Sequence, residues 1–493
     1  MLYTQMFVGM LVGLYISRVV LDVLGVEDYG IYNVVGGVVA MFGVLNTSMS
    51  ATTSRYITIA LGKNDSNGLK EVFGISITIH ILLGICMVLL AELIGLWFLE
   101  YKMRIPEERM NAAVWVFHCS VATAFFYILN VPYNAMIIAM EKMAVFAYFS
   151  LIDLFLRLTV VLILPMSSMD KLKSYALLLV GVQLLMQILY WQYCFRNFSE
   201  SRVGPKWHET KVKEMSSFAG WSLFGDSAAL MFSQGVNVLL NLFFGATINA
   251  ARGIAVQVQG VVIRFIGSFQ TAINPQLTKS FAGHDYTYMY KLIYSSSKFS
   301  FFLFMMLALP IFFEANQLLA WWLKIVPDYT VTFLRIILFI SLIDCLANPL
   351  ITAAKATGKI KRYQSVLGVF LLLIVPVSYL FLKMGYPPYS VFVVHFIMVC
   401  IGHYIRMKLI SPLINLDERE YLNNVIFKVV LVLCSASILP TMTYLLLDVS
   451  FMRLVIVTAA SVISIFVSVW YIGASQYEKK MLTEKIRGNF LKG

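Results

Sequence analysis

The residues that could do chemistry in this chain are arginines inside long apolar segments. Arg264 lies within the segment GIAVQVQGVVIRFIGSFQTAINP. Segments of the same kind contain Arg18, Arg55, Arg157, Arg252 and Arg335. An arginine near the middle of a bilayer is costly unless it faces a polar cavity, a partner or an anionic ligand. The pattern therefore predicts a membrane protein that handles something charged.

The segment around Arg264 is polar along one helix face. At the helical angle of about 100° per residue, Arg252 and Gln259 share one stripe and Arg264 lies on a second stripe. Hydrogen bonds between helices explain the amide side chains but leave the mid-span Arg264 unexplained. We interpret this face as the lining of a cavity, with structural pairing as the alternative.

Other span arginines have two competing roles each. Arg18 and Arg252 are near the outer ends of the first and eighth spans, where they either snorkel to the interface or line a cavity together. Arg55 follows the polar run NTSMSATTS, and Arg335, close to the outer end of its span, is expected to snorkel. The predicted substrate-binding set is Arg18, Arg55, Arg252, Gln259 and Arg264.

Three carboxylates lie deep in predicted spans, and they are Asp153, Asp226 and Asp344. A lone membrane carboxylate can carry a coupling proton or bind sodium, but each of these could equally be the partner of an arginine. Arg157 follows Asp153 by one helical turn, a spacing that favours an ion pair. Histidines and cysteines in the spans lack metal-ligand spacing, so no metal site, cofactor or catalytic group is predicted.

The elements that must position these residues are membrane-spanning helices. Hydrophobic residues make up 60% of the 493 residues and charged residues 13%, whereas soluble domains have about 25% charged residues. Apolar runs of membrane length predict an all-α protein with fourteen spans. They lie near 1–21, 31–60, 73–98, 113–139, 144–165, 174–195, 216–244, 250–278, 299–321, 330–354, 363–382, 388–410, 425–447 and 452–472.

Basic residues indicate the orientation of the spans. With a cytoplasmic N-terminus, 24 of the 38 lysines and arginines fall on the cytoplasmic side, 8 on the other side and 6 inside spans. Because positive residues accumulate on the cytoplasmic side, both termini are predicted to be cytoplasmic, and the first span is expected to be an uncleaved helix. This topology and contact with anionic membrane lipids explain the net charge of +12, so no nucleic-acid partner is required.

The chain divides at its longest polar stretch before the tail, residues 196–217. On either side the sequence weakly repeats at an offset of 220, which matches Gly25 with Gly245 and Asp65 with Asp285. Six spans per unit predict a parallel repeat with the substrate path between two lobes. The predicted regions are an N-lobe at 1–195, a cytoplasmic linker at 196–215, a C-lobe at 216–410, and two further spans with a basic cytoplasmic tail at 411–493.

Several motifs, in order along the chain, resemble the polysaccharide-exporter branch of the multidrug/oligosaccharidyl-lipid/polysaccharide (MOP) superfamily. The motifs are LGVEDYGIYNVVGG at 24–37, VPYNAMIIAMEKMAVFAY at 131–148, NAARGIAVQVQ at 249–259, NPQLTKSFAGHD at 274–285 and NPLITAAKATGKIKRYQ at 348–364. The likeness covers essentially the whole chain. It is nearest to the Wzx-type flippases of O-antigen and capsule units.

The resemblance implies two six-helix lobes, alternating access, and transfer of an undecaprenyl-pyrophosphate-linked oligosaccharide across the bacterial inner membrane. A polysaccharide polymerase and chain-length machinery would then be partners. In the related lipid II flippases, arginines of the first and eighth helices line a cationic cavity, and Arg18 and Arg252 match them by helix. The acid that those relatives carry in the second helix has no evident counterpart here, so coupling to protons or to sodium stays open.

Two alternative functions remain. A cation-coupled multidrug exporter of the same superfamily would favour acidic residues in the spans, which this chain does not have in surplus. A membrane polymerase or glycosyltransferase would normally present a large outer loop with catalytic carboxylates, whereas the largest connection here has about twenty residues and is predicted to be cytoplasmic. A transporter of an anionic substrate is the favoured interpretation.

Overall fold

The chain is helical throughout the part that the structure describes. A computed structural model describes residues 43–101, 105–323, 326–476 and 478–480, together with isolated positions between 8 and 35. All regular elements of these residues are helices, which confirms the predicted all-α class. The helices of eight or more residues are numbered α1 to α15 in chain order.

The bounds of the helices are as follows. The first six are α1 (Gly43–Gly62), α2 (Ser66–Leu90), α3 (Glu107–Ala139), α4 (Met143–Ile163), α5 (Lys171–Asn197) and α6 (Glu209–Phe244). The remaining nine are α7 (Ala246–Ala282), α8 (Tyr286–Phe313), α9 (Ala315–Trp322), α10 (Thr330–Thr357), α11 (Lys361–Leu372), α12 (Ile374–Lys383), α13 (Ser390–Ile414), α14 (Lys428–Leu446) and α15 (Phe451–Ser468). Shorter helical pieces are Ala91–Gly95, Leu96–Tyr101, Leu164–Met166, Ser199–Ser201, Glu418–Tyr421, Leu422–Phe427 and Val469–Gly473.

Eleven helical stretches among the described residues are long and apolar enough to cross a membrane. They comprise α2 to α6, α8, α10 and α13, with three stretches in which shorter pieces join, Lys361–Lys383, Glu418–Leu446 and Phe451–Gly473. The more polar α1 and α7, which correspond to the second and eighth predicted spans, are not among the eleven. The first predicted span lies largely outside the described residues. The chain is a multi-pass membrane protein.

The helix α8 begins earlier than the sequence predicts. It starts at Tyr286, whereas the predicted span begins at 299. The prediction excludes the run KLIYSSSKFS, which is more polar than most membrane helices. In the structure the polar atoms of this run find partners inside the protein. Ser296 Oγ donates to the carbonyl of Leu292, and the ammonium of Lys298, which is only 2% exposed, contacts the carboxylate of Glu478 at 2.8 Å.

The backbone repeats special conformations at the offset of 220 residues that the sequence suggests. The matched pairs are Gly25 and Gly245, each with φ of 78°, Asn64 and His284, with φ of 52° and 58°, and Asp65 and Asp285. Each aspartate precedes a helix and accepts a hydrogen bond from a backbone N–H three residues further on. A side-chain oxygen at this place satisfies a free donor of the first helical turn. The two halves therefore share turn geometry as well as sequence.

The chain forms two compact units, Met1–Leu223 and Phe224–Gly493, which we call the N-unit and the C-unit. The division falls within α6, whereas the sequence suggests a linker at 196–215. The first part of α6 belongs to the N-unit because Met215 and Ala219 pack against Met49, Ile75 and Ile79. The C-unit includes α14 and α15, the predicted additional spans.

Two buried ion pairs connect the last part of the chain with α8 and with Glu314, which follows α8. Glu314, directly after α8, pairs with Arg453 of α15 at 2.9 Å, and both side chains are almost fully buried. Lys298 of α8 pairs with Glu478, which follows α15. Burial raises the pKa of the Glu478 carboxyl, but hydrogen bonds from Lys298 and Ser295 outweigh burial and hold this pKa below its ordinary value. These contacts make α14 and α15 part of the C-unit core.

Candidate functional site

Each unit has an internal cavity that is lined by charged side chains from the predicted spans. The N-unit cavity has a volume of about 350 Å³ and the C-unit cavity about 360 Å³. Both volumes are near the lower end of the range of about 300–1,000 Å³ that is usual for ligand pockets. Each cavity is described below by itself.

The N-unit cavity contains a closed ion pair. It is bounded mainly by α3, α4 and α5, which contribute Tyr127, Asn130, Asn134, Phe146, Phe149, Ser150, Asp153, Leu154, Arg157, Gln183, Met186 and Tyr190. Arg157 Nε donates to Asp153 Oδ2 at 2.9 Å, within one turn of α4. The side-chain oxygens of Asn130 and Asn134 are buried without a hydrogen-bond partner among the described residues. This cavity is polar, and its fixed charges cancel.

The C-unit cavity contains more cations than anions. Five helices, α6, α7, α10, α11 and α13, line it. Its charged side chains are Arg252 of α7, Asp344 of α10 and Arg406 of α13, and His395 and Gln259 also face it. With a neutral histidine, two guanidinium groups face a single carboxylate. An arrangement of this kind attracts an anionic group.

Arg252 is held by the neighbouring helix α6. One terminal nitrogen donates to the side-chain oxygen of Asn237, and the other donates to both the carbonyl and the hydroxyl of Ser233 at 3.1 Å. The side chain is 8% exposed, and its Nε is buried without a partner among the described residues. Of its five N–H groups, three donate to Asn237 and Ser233, and two remain, one on Nε and one on the terminal nitrogen that contacts Asn237.

Arg406 and Asp344 line the same cavity. Arg406 Nε donates to the hydroxyl of Tyr363 at 3.3 Å, and its charge acts on the carboxylate of Asp344. The described contacts of Arg406 leave its two terminal nitrogens without a hydrogen bond. The charge of Arg252 acts on His395, eleven residues before Arg406 on α13, and favours the neutral imidazole. At about 1.5 Å per residue, those two residues are separated by about 16 Å along the helix.

The C-unit cavity brings together two predicted substrate-binding residues, Arg252 and Gln259, and one predicted coupling carboxylate, Asp344. Gln259 faces the cavity and donates to the hydroxyl of Ser341 at 2.6 Å. Asp153 lines the other cavity with Arg157. Two of the three carboxylates that the sequence proposes for ion coupling, Asp153 and Asp344, therefore line different cavities.

Three other residues that the sequence proposes for substrate binding or ion coupling lie outside the C-unit cavity. Arg264 is exposed on α7, outside the lining of the C-unit cavity. Arg55 stacks on the rings of Tyr56 and Phe218 in the N-unit, at 4.6 and 4.7 Å from their centroids. Asp226 is half-buried in α6 and does not line the C-unit cavity. Arg18 is outside the described residues. The substrate-binding and coupling roles of all these residues stay predictions.

Arg406 is the functional candidate that the sequence does not reveal. It lies near the inner end of the twelfth predicted span and counts there as a cytoplasmic charge, but α13 continues to Ile414. Its spacing from His395 contains a signal, because eleven residues at about 100° each return to nearly the same helix face. Val399, between them, lines the same cavity. Among the described residues no three His, Cys, Asp or Glu side chains are grouped to hold a metal ion.

Comparisons with known proteins concern the fold. No protein-family model and no curated protein matches the chain. A point mutant of a MATE is similar in structure, with a TM-score of 0.73 and 14% identity over 84% of this chain and 96% of that one. An outward-facing multidrug-resistance MATE transporter of the MOP superfamily has a TM-score of 0.70 and 15% identity, over 84% of this chain and 95% of that one.

A third similar structure is a MOP-superfamily transporter from Pyrococcus furiosus, described as having a binding pocket of reverse polarity that suggests a different function. Its TM-score is 0.70 and its identity 13%, over 84% of this chain and 95% of that one. Identities this low establish the fold and not the substrate. The chain has the fold of these MATE transporters.

Proposed function

We propose that this protein is a membrane transporter, and that its substrate is an anionic, pyrophosphate-linked lipid oligosaccharide of the undecaprenyl type. The observation that carries the proposal is the excess of cations in the C-unit cavity, where Arg252 and Arg406 face Asp344 alone. A diphosphate and its sugars cannot cross hydrocarbon unaided because their polar groups would lose their hydrogen bonds. The fold supports transport and offers no support for a polymerase or glycosyltransferase.

A cation-coupled multidrug exporter is the second candidate function. The similar solved structures favour it, since one of them is a multidrug-resistance MATE transporter. The fold accommodates this function at least as well as the first. The excess of positive charge in the C-unit cavity favours the anionic substrate. The P. furiosus transporter, described as having a binding pocket of reverse polarity, is a precedent for a change of pocket charge within this fold.

Coupling to a proton or to sodium is part of the proposal. Asp153 and Asp344 are not lone carboxylates, because Arg157 pairs with the first and Arg406 acts on the second. A carboxylate that exchanges its arginine for a proton or a cation can link ion binding to a change of state. We propose the bacterial inner membrane as the location, with both termini in the cytoplasm and polysaccharide polymerase and chain-length proteins as partners.

The test uses the purified full chain in proteoliposomes. One sample contains a polyprenyl-pyrophosphate-linked glycan, and transfer is followed by the access of a membrane-impermeant lectin to the sugar. A second sample contains a fluorescent organic cation under an imposed proton or sodium gradient. We expect glycan transfer above that of protein-free liposomes and no gradient-driven movement of the cation. Cation movement without glycan transfer would establish the second candidate and overturn the first.

Two arginine variants sharpen this experiment. Arg264 is exposed on α7, and the cost of a charge in mid-span motivates its predicted role in attracting the substrate. Arg264→Ala should transfer little glycan, and Arg264→Lys should retain part of the activity because it keeps the charge but loses the planar fork. Arg335→Ala is the matched control for the loss of a span arginine. Normal transfer by Arg264→Ala would show that this residue is structural.

A further inference from the structure

The two arginines of the C-unit cavity differ in what they can still bind. Arg252 donates three hydrogen bonds to Ser233 and Asn237, so both of its terminal nitrogens are occupied. Its buried Nε has no hydrogen-bond partner in the described part of the chain. A guanidinium in this state cannot offer the two parallel N–H groups that bind a phosphate or carboxylate in a bidentate manner.

Arg406 has the opposite arrangement. Its Nε is occupied by the hydroxyl of Tyr363, and its two terminal nitrogens remain for a ligand. The Nε contact to Tyr363 orients the fork, and Asp344 supplies a counter-charge within the same cavity. An arginine that is oriented at Nε and open at its terminal nitrogens is suited to a planar or tetrahedral oxyanion.

The size of the cavity limits the ligand. A volume of about 360 Å³ accommodates a phosphate or diphosphate group but not an oligosaccharide together with its lipid. Arg252 acts on His395, and His395 and Arg406 are separated by about 16 Å along α13. We therefore assign a single phosphate to one of the two arginines.

We propose that Arg406 is the ligand-binding cation of the C-unit cavity, that its ligand is a phosphate or diphosphate group, and that Arg252 is a positioning residue that joins α7 to α6. This inference rests on the proposed function and names the residue that would recognise the charged group of the substrate. Asp344 is the counter-charge of Arg406 in this cavity, and a bound anion would share the arginine with it. The proposal thus gives Arg252, one of the five predicted substrate-binding residues, a positioning role instead.

The test measures binding of inorganic pyrophosphate to the purified full chain in detergent, by titration calorimetry at constant ionic strength. Loss of a charge-assisted bidentate contact should weaken binding at least about 10-fold in Arg406→Gln. Arg406→Lys keeps the charge without the fork, so its affinity should lie between those of the wild type and Arg406→Gln. Arg335→Gln, which removes a span arginine outside the cavity, is the matched control.

A second readout separates positioning from binding. Arg252→Gln leaves Ser233 and Asn237 without their donor, so it should lower the unfolding temperature more than Arg406→Gln does. Its affinity for pyrophosphate should fall less than that of Arg406→Gln. Equal pyrophosphate affinity in the wild type and in folded Arg406→Gln, or the larger loss of affinity in Arg252→Gln, would overturn the assignment.

Two further ligands identify the source of the phosphate. Vesicles that contain undecaprenyl pyrophosphate should compete with soluble pyrophosphate, and vesicles of phosphatidylcholine alone should not. Competition by malonate as strong as that by pyrophosphate would overturn the choice of phosphate over carboxylate. If soluble pyrophosphate binds through Arg406 and proteoliposomes transfer no glycan, the inference about Arg406 stands and the proposed lipid-linked substrate fails.

Discussion

The two charged cavities have almost the same volume but differ in how their charges are balanced. In the N-unit, Asp153 and Arg157 belong to one turn of α4 and form a contact of 2.9 Å. In the C-unit, Arg252, Asp344 and Arg406 come from three different helices, and the arginines outnumber the carboxylate. The first cavity neutralises itself within a single helix. The second retains a positive charge that an outside anion can neutralise.

The difference shows why an intramembrane arginine is not by itself a binding residue. A charge in a membrane protein needs a partner, and a neighbour one turn away is the simplest one. Arg157 has such a neighbour, so the cost of its burial is met without a ligand. Arg406 has a shared counter-charge and two open nitrogens, so a ligand can complete its contacts. The following predictions test this contrast.

The largest effect is expected when both arginines of the C-unit cavity are replaced, in Arg252→Gln/Arg406→Gln. The double variant leaves Asp344 as the only charge and reverses the sign of the cavity. Loss of the charge-assisted contact of Arg406, at about 1.5–3 kcal/mol, corresponds to a loss of about 10- to 100-fold in anion affinity, and the reversed charge of the cavity weakens anion binding further. Glycan transfer in proteoliposomes should be abolished, and uptake of a fluorescent organic cation should rise.

The matched control for that variant is Asp153→Asn/Arg157→Gln in the N-unit, which removes a pair and leaves the net charge of its cavity unchanged. It should retain the preference for the anionic substrate. Equal loss of glycan transfer in both double variants would show that the charge of the C-unit cavity does not select the substrate.

The second prediction concerns the closed pair. Asp153→Asn or Arg157→Gln alone leaves an unpaired charge, whereas the double replacement leaves none. Both side chains are about one-third exposed, so each single variant should lose only about 1–3 kcal/mol of unfolding free energy, and the double variant should lose less. Thermal unfolding in detergent measures this cycle. A double variant no more stable than the weaker single one would mean that the contact does not stabilise the fold.

The third prediction concerns the counter-charge of Arg406. Asp344→Asn removes the one carboxylate of the C-unit cavity and should strengthen pyrophosphate binding about 5-fold, or about 1 kcal/mol, because an anion no longer competes for the arginine. The control is Asp448→Asn, an exposed carboxylate between α14 and α15. Unchanged or weaker binding in Asp344→Asn would indicate that Asp344 does not face the ligand.

In both cavities, the sequence predicts contacts between residues that are close in the chain better than contacts between residues that are far apart in it. The pair of Asp153 and Arg157 follows from helix geometry alone, since the residues are one turn apart. The sequence repeat matches Asp65 with Asp285, and the structure shows that both cap a helix. The polar face of α7 indicates that Arg252 and Gln259 point into the protein.

Contacts between helices could not be predicted because they depend on how the helices pack, which the sequence alone does not reveal. The hydrogen bonds of Arg252 to Ser233 and Asn237 join α7 to α6, and the positioning role that we propose for this arginine rests on them. Arg406 resembles a charge at the end of a span until Tyr363 and Asp344 are seen beside it. Lys298 likewise resembles a loop residue in the sequence. Its partner Glu478 is 180 residues away, so the sequence does not indicate their ion pair.

The smallest effect is expected at Arg335, a span arginine that belongs to neither cavity. Its Nε donates to the carbonyl of Phe312 at 3.0 Å, and its guanidinium carbon is 5.3 Å from the centroid of the Phe312 ring. Arg335→Ala removes these two contacts and should lower the unfolding free energy by about 1–2 kcal/mol. Because the contacts lie outside both cavities, glycan transfer per folded molecule should stay within about twofold of the wild type. A transfer rate as low as that of Arg252→Gln/Arg406→Gln would show that loss of any span arginine impairs transport, and the contrast between the two cavities would then have no functional meaning.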